Sequence, residues 1–295
     1  MNKKSQSSRF WYICGPLFLY WIIQFIGQFI GEFMVVLPHM GELMDYGEIT
    51  TSMTTEQMWE FMNRSMQKVY EILVQYSLPI LAFATVCTLP LSITLFCRDR
   101  KEERWGVENT KVTPKLWKYG LVVVLGIVFS LGMNCLITMI GLAFFVESFS
   151  GVTSTIEPNI LMEVICAGVL IPIGEEFMFR GVLFKRYRRS NTFLLAATLS
   201  SLIYGLTQGN MIQFAYACVF GVFLCYIYEN VGTLKSTILF HITSNLFGVI
   251  LSYSSLGGWL IQDPIRIAAA IVISVFVISS IYVFVQNIEN KNKDV

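Results

Sequence analysis

Charged residues are scarce in this chain. Of its 295 residues, only 14% are Asp, Glu, Lys or Arg, whereas a soluble domain carries about 25%. So few charges cannot supply a water-facing surface for a globule of this size, and 55% of the residues are hydrophobic. Lipid is therefore the expected solvent. The net charge of +1 and the lack of a long Lys/Arg run give no support for nucleic-acid binding.

A disulfide framework and a thiolate metal site are also missing. No CxxC pair occurs, and the number of cysteines is odd. We interpret each as a small buried hydrophobe, because all seven lie within or at the edge of apolar segments: Cys14, Cys87, Cys97, Cys135, Cys166, Cys218 and Cys225. The first apolar segment, residues 10–37, exceeds the roughly 7–15 residues of a signal-peptide core, so we expect it to remain as the first span.

Long apolar segments are what the chain has instead. A transmembrane helix needs about 20 mostly apolar residues. Segments of suitable length and composition lie at residues 10–37, 69–97, 117–147, 159–184, 192–208, 211–229, 235–254 and 264–286. They predict an all-α, single-domain bundle of about eight transmembrane helices over residues 1–295.

Positive charges alternate between the predicted loops. Lys and Arg cluster at both termini and in residues 98–104 and 185–189, whereas residues 148–158 and 255–263 contain none. By the positive-inside rule, both termini are cytoplasmic in a multi-pass protein of the cell membrane, surrounded by its lipids. The short loops are typical of a bacterial protein.

The first outer loop, about residues 38–68, is acidic and ends in a helical pattern over residues 56–70. We interpret this helix as a solvated connector. A helix on the membrane surface and a binding surface for a partner are the alternatives.

Ionisable side chains concentrate in the fourth predicted span, where Glu175 and Glu176 are followed by Arg180. Charges at membrane depth cost several kcal/mol and usually mark functional sites. Glu176 and Arg180 are four residues apart, so they share a helix face and can pair. Glu175 is rotated by about 100° and is left free to act as a base. A snorkelling ion pair near the membrane face is the structural alternative.

The seventh predicted span adds His241 and Asn245, again four residues apart on one face. Both side chains can donate hydrogen bonds to a developing oxyanion. His241 is also a candidate metal ligand, and purely structural hydrogen bonding is the remaining alternative.

The ordered pair of motifs, Glu175-Glu176-x-x-x-Arg180 and His241-x-x-x-Asn245, resembles the CAAX protease and bacteriocin-processing (CPBP, or Abi) family of intramembrane proteases. Members of that family have about eight spans, as predicted here. The resemblance implies an endopeptidase that hydrolyses a peptide bond near the cytoplasmic face, in a peptide or membrane-protein substrate.

The resemblance covers roughly residues 160–250 and implies a role for each motif residue. Glu175 and the residue at position 208 would activate water, while His241 and Asn245 would hold the oxyanion. The ion pair next to Glu175 would support that carboxylate.

The middle motif of the family is aromatic-x-x-x-His, and here the matching residues run from Tyr204 to Gln208. A glutamine amide can orient water but cannot take its proton, and it is a poor zinc ligand. The only other histidine, His39, lies at the outer end of the first span. The chain is therefore either a slow protease or a pseudoprotease that acts as a membrane regulator, scaffold or bacteriocin-immunity factor.

Two further points stay open at the level of sequence. If the reaction is metal-dependent, zinc would be the metal, with Glu175 and His241 as ligands. With straight spans, Gln208 would lie at the outer end of the fifth span, away from Glu175. Either that span begins later, or residues 185–210 are not one straight helix.

Overall fold

The computed structural model describes residues 3–43, 54–106, 115–144 and 159–291, and every regular element in these ranges is a helix. In chain order they are α1 (Lys3–Val36), α2 (Met40–Leu43), α3 (Thr55–Gln75), α4 (Ser77–Gly106), α5 (Leu116–Phe144), a compound helix (residues 160–188), α6 (Phe193–Leu206), α7 (Met211–Val231), α8 (Leu234–Tyr253), α9 (Ser255–Ile261) and α10 (Pro264–Lys291). A single 3-10 turn, Leu37–His39, joins α1 to α2. The predicted all-α class is confirmed.

Six of the described helices are long and apolar enough to cross a membrane: Phe10–His39, Ser77–Glu102, Leu116–Gly141, Met211–Val231, Leu234–Tyr253 and Pro264–Val285. The other two predicted spans correspond to the compound helix and to α6. With 14 residues, α6 is about 21 Å long, shorter than the roughly 30 Å hydrocarbon core of a bilayer. The chain is a multi-pass membrane protein, as predicted.

The compound helix alternates between two backbone geometries. Its segments are Ile160–Met162, Glu163–Leu170, Ile171–Glu176, Phe177–Phe184 and Lys185–Arg188, and the second and fourth are π-helical. Segments of π-helix are rare and occur frequently at functional sites. Each one here has a carbonyl that accepts a hydrogen bond from a neighbouring helix: Ala167 from Asn245 Nδ2 at 2.8 Å, and Phe179 from Ser200 Oγ at 3.2 Å.

A close approach between α4 and the compound helix lies directly beside the two adjacent glutamates. A Cβ atom at Gly174 would overlap the Thr85 methyl group, so any larger residue would require the Thr85 side chain to move. Small residues allow membrane helices to pack in this way. Elsewhere α1 packs on α4, α6 on α7, α10 on α5, and α5 on α8.

Three elements are joined at one end of the bundle, which we call the basic end. The buried guanidinium of Arg186 pairs with both oxygens of Asp99, at 2.6 and 2.9 Å, and donates to the Tyr12 carbonyl. The basic segments 98–104 and 185–189, predicted to face the same side, therefore meet at one end. Their assignment to the cytoplasm stays a prediction.

The helix predicted over residues 56–70 is present as α3. Its first turn has a capping box between Thr54 and Gln57, and Ser65 Oγ donates to the Leu43 carbonyl at 3.2 Å. Whether α3 is solvated, lies on the membrane or binds a partner stays a prediction. Part of the acidic loop, the loop over 148–158 and residues 107–114 lie outside the described residues.

Candidate active site

Glu176 lies at the centre of a buried ionic cluster. Its Oε1 accepts hydrogen bonds from Arg180 Nη1 at 2.8 Å and from His241 Nδ1 at 2.9 Å. The relative exposures are 0% for Glu176, 0% for Arg180 and 2% for His241. The pairing expected from the spacing of Glu176 and Arg180 is present. The contact with His241 additionally joins the compound helix to α8.

The hydrogen bond to Glu176 assigns the proton on one nitrogen of His241. A carboxylate paired with arginine only accepts, so Nδ1 of His241 carries the hydrogen. The other ring nitrogen, Nε2, faces Glu175 and lies 3.7 Å from its Oε2. Because Nδ1 carries the hydrogen that is bonded to Glu176, Nε2 can only accept a hydrogen bond when the ring is neutral. It donates one only when the ring is doubly protonated.

Glu175 points away from the ion pair. Its Oε2 accepts a hydrogen bond from the Tyr204 hydroxyl at 2.9 Å, and its side chain is 14% exposed, compared with 0% for Glu176. Glu175 is therefore the more accessible carboxylate, in the position expected of a base. In this geometry Glu176, which is paired with Arg180, holds His241 directly, and neither Glu176 nor Arg180 is hydrogen-bonded to Glu175.

The shortness of α6 explains how Tyr204 reaches Glu175. Residues 189–192 are not helical, so residues 185–210 are not one straight helix, which is the second of the two alternatives. At 1.5 Å per residue, Tyr204 lies about 17 Å from the start of α6, and Glu175 lies about 20 Å from the end of the compound helix. The two side chains are therefore at similar depth.

Two residues expected in the site lie apart from this hydrogen-bonded cluster. Gln208 is half-buried in the turn after α6, and its side chain has no hydrogen bond to any of the described residues. Asn245 uses its Nδ2 to donate to Ala167 in the compound helix. Catalytic roles for Gln208 and Asn245 stay predictions, and the contact that Asn245 makes is between helices.

Aromatic rings enclose the cluster. Phe220 packs edge-on against His241 with ring centroids 4.7 Å apart, and the Arg180 guanidinium lies 4.5 Å from the Tyr204 ring centroid. Phe179 packs on the other side, 5.0 Å from Tyr204. The sequence singled out Tyr204 only as the aromatic position of a motif. The signal in the sequence was that this aromatic residue is tyrosine and not phenylalanine, because its hydroxyl makes the contact with Glu175.

The donor set does not fit a complete zinc site. Glu175 and His241 present two donors, whereas zinc sites use three or four protein ligands, at about 2.0–2.3 Å. Across the described residues, no group of three or more His, Cys, Asp or Glu side chains is placed to hold a metal ion. The zinc alternative stays a prediction, and no step proposed below runs through a metal.

One known family matches the part of the chain that carries these residues. Residues 157–247 match the family model described as type II CAAX prenyl endopeptidase Rce1-like. This segment is a CPBP-family domain. The family resemblance of the sequence motifs is therefore confirmed. No curated protein and no solved structure matches the chain.

The CPBP domain contains the whole cluster. It runs from the compound helix through α6 and α7 into α8, so every ionisable group of the cluster comes from two of its helices. Helices outside the matched segment pack around the cluster. One example is Tyr20 of α1, whose ring packs against Phe179 at 5.8 Å.

Proposed function

We propose that this protein is an intramembrane endopeptidase that hydrolyses a peptide bond near the cytoplasmic face, in a peptide or membrane-protein substrate. The observation that carries the proposal is that Glu175 Oε2 and His241 Nε2 face each other, 3.7 Å apart. Glu175 is partly exposed, whereas Glu176, Arg180 and His241 are buried. A base and a potential oxyanion donor are thereby aimed at the same space. The CPBP domain supports this assignment.

The charges of the cluster set how many protons Glu175 and His241 share. Glu175, Glu176 and Arg180 together leave one negative charge, and a proton on the His241 ring makes the cluster neutral. Neutrality is favoured because uncompensated charge is costly in a low-dielectric interior. The same neutrality results with the proton on Glu175, and the proposed reaction uses the form in which the proton is on His241 and Glu175 is the ionised base.

In the proposed reaction, Glu175 takes a proton from water as the water oxygen bonds to the scissile carbonyl carbon. The doubly protonated ring of His241 donates from Nε2 to the developing oxyanion, and Glu176 keeps the ring oriented through Nδ1. One oxyanion donor is worth about 10²–10³ in kcat. As the carbon–nitrogen bond breaks, Glu175 passes its proton to the leaving amine.

A single substitution tests the proposal. Cells producing Glu175→Ala should lose specific cleavage products from the membrane fraction and accumulate the uncleaved precursors, as measured by proteomics of new amino termini. The matched control is Glu163→Ala on the same helix, whose carboxylate accepts from Tyr253 at 2.8 Å away from the cluster. That variant should leave the products unchanged. Stoichiometric zinc in the purified protein would overturn the metal-free form of the reaction.

Gln208 favours a second candidate function. It stands where the family motif has histidine, and it makes no side-chain hydrogen bond to the described residues. A CPBP-fold protein with weak or no catalysis would act as a membrane regulator, scaffold or bacteriocin-immunity factor. In that case Glu175→Ala leaves the membrane proteome and the phenotype unchanged while the protein still accumulates.

A further inference from the structure

The Tyr204 hydroxyl lies beside Glu175, where the family resemblance expects the residue at position 208 to act. We infer that Tyr204 is the residue that positions the Glu175 carboxylate in this chain, in place of the missing histidine. Its effect on rate rests on the proposed endopeptidase function, whereas its contact with Glu175 does not.

The contact is made on the oxygen that matters for the reaction. Tyr204 donates to Glu175 Oε2 at 2.9 Å, and this same oxygen lies 3.7 Å from His241 Nε2. The hydroxyl therefore fixes the side-chain rotamer that brings the base next to His241.

Tyr204 is itself held rigidly, as a positioning residue must be. Its ring is 4% exposed and packs between the Arg180 guanidinium and Phe179, at 4.5 and 5.0 Å. The helix that carries it is fixed as well. A Cβ at Gly205 would fall 2.7 Å from Cys218 Sγ of α7, so α6 and α7 are in close contact at this depth.

Gln208 is displaced because the helix stops before reaching it. Residues four apart share a face only while the helix continues, and α6 ends at Leu206 with Thr207 as its C-cap. The backbone N–H of Gln208 donates to the Gly205 carbonyl at 2.9 Å, within the turn. The spacing from Tyr204 therefore does not bring the Gln208 side chain to the same face.

Two matched variants separate Tyr204 from Gln208. Tyr204→Phe removes one oxygen atom and keeps the ring. It should lower kcat about ten- to a hundredfold with KM unchanged, the range for losing a hydrogen bond to a charged group. Gln208→Ala is the comparison, and we expect it to lower kcat by less than Tyr204→Phe does. The rates are measured on a substrate revealed by the Glu175→Ala comparison. A loss of kcat in Gln208→Ala equal to that in Tyr204→Phe would overturn the inference.

Infrared spectroscopy tests the contact without any substrate. The carboxylate bands of Glu175 are identified by their disappearance in Glu175→Gln, using purified protein in lipid nanodiscs. They should shift in Tyr204→Phe and stay in place in Gln208→Ala. Incorporating 3-fluorotyrosine at position 204 retains the hydroxyl and should also shift the Glu175 carboxylate bands. This variant replaces Tyr204→Phe in the test if Tyr204→Phe does not fold. Unchanged bands would overturn the inference. Shifted bands without proteolysis by the wild-type protein would sink the proposed function alone.

Discussion

Two buried ion pairs in this protein are built differently. At the basic end, Arg186 uses Nε and Nη2 on Asp99 and Nη1 on the Tyr12 carbonyl. In the candidate active site, Arg180 donates from Nη1 to Glu176, and its guanidinium also interacts with the Cys225 thiol. Its Nε and Nη2, and Glu176 Oε2, have no hydrogen-bond partner among the described residues.

We interpret the first as a structural ion pair and the second as a candidate for function. A buried pair repays its desolvation only when its geometry is good and its remaining polar atoms are bonded. Arg186 and Asp99 meet that condition, and they join three helices. The cluster around Glu176 does not meet it, although it is as deeply buried as the pair at the basic end. Incompletely bonded polar atoms in such a place call for a functional explanation.

The largest effect on stability is expected at the basic end. Asp99→Ala would leave the Arg186 guanidinium buried without its carboxylate, which typically costs about 3–5 kcal/mol. The thermal unfolding temperature of the purified protein should fall sharply, together with its accumulation in membranes. Glu102→Ala, which removes a carboxylate 53% exposed on the same helix, is the control. A small change in Asp99→Ala would mean that the pair contributes little to stability.

A smaller loss of stability is expected at the first π-helical segment. Asn245→Ala removes the donor to the partly buried Ala167 carbonyl, and leaving a fully buried acceptor unsatisfied costs about 1–3 kcal/mol, so the loss here should lie at or below the lower end of that range. Thermal unfolding measures this loss. Ser200→Ala, which removes the longer contact to Phe179 at 3.2 Å, provides the comparison for the second π-helical segment.

The same variant also tests the oxyanion role that the resemblance implies for Asn245. If Asn245→Ala abolished proteolysis while the unfolding temperature stayed unchanged, its amide would act on the substrate, and the helix–helix contact would be incidental. If stability fell and the remaining folded protein cleaved normally, the role of Asn245 would be to hold the compound helix.

Contacts within one helix could be predicted from the sequence, whereas contacts between helices could not. The pair Glu176–Arg180 follows from the period of the helix alone. His241 and Asn245 do share a face, as expected, but one turn of helix gives them different neighbours, Glu176 and Ala167. Periodicity within α8 contains no information about which helix lies opposite each turn.

The position of Gln208 shows the same limit. The motif spacing assumes a continuous helix from Tyr204, but α6 ends at Leu206. The donors to the π-helical segments come from other helices, so the sequence of the segments does not identify them. The sequence therefore predicted the all-α class, six of the eight spans and the Glu176–Arg180 pair, and it missed the contact of His241 with Glu176 and that of the Tyr204 hydroxyl with Glu175.

The smallest effect is expected for an exposed ion pair near the basic end. Glu229 Oε1 accepts hydrogen bonds from Arg188 Nη2 at 2.7 Å and from Arg188 Nε at 2.9 Å. These hydrogen bonds are nearly as short as those between Arg186 and Asp99. The two side chains are 34% and 41% exposed, and exposed pairs contribute about 0–1 kcal/mol. Glu229→Ala should therefore barely change the unfolding temperature, and raising the salt concentration should reduce the difference further.

Because Asp99→Ala and Glu229→Ala each remove a carboxylate bonded to arginine, their contrast isolates burial as the cause. Equal losses in the two variants would mean that pairing alone, irrespective of burial, determines stability there.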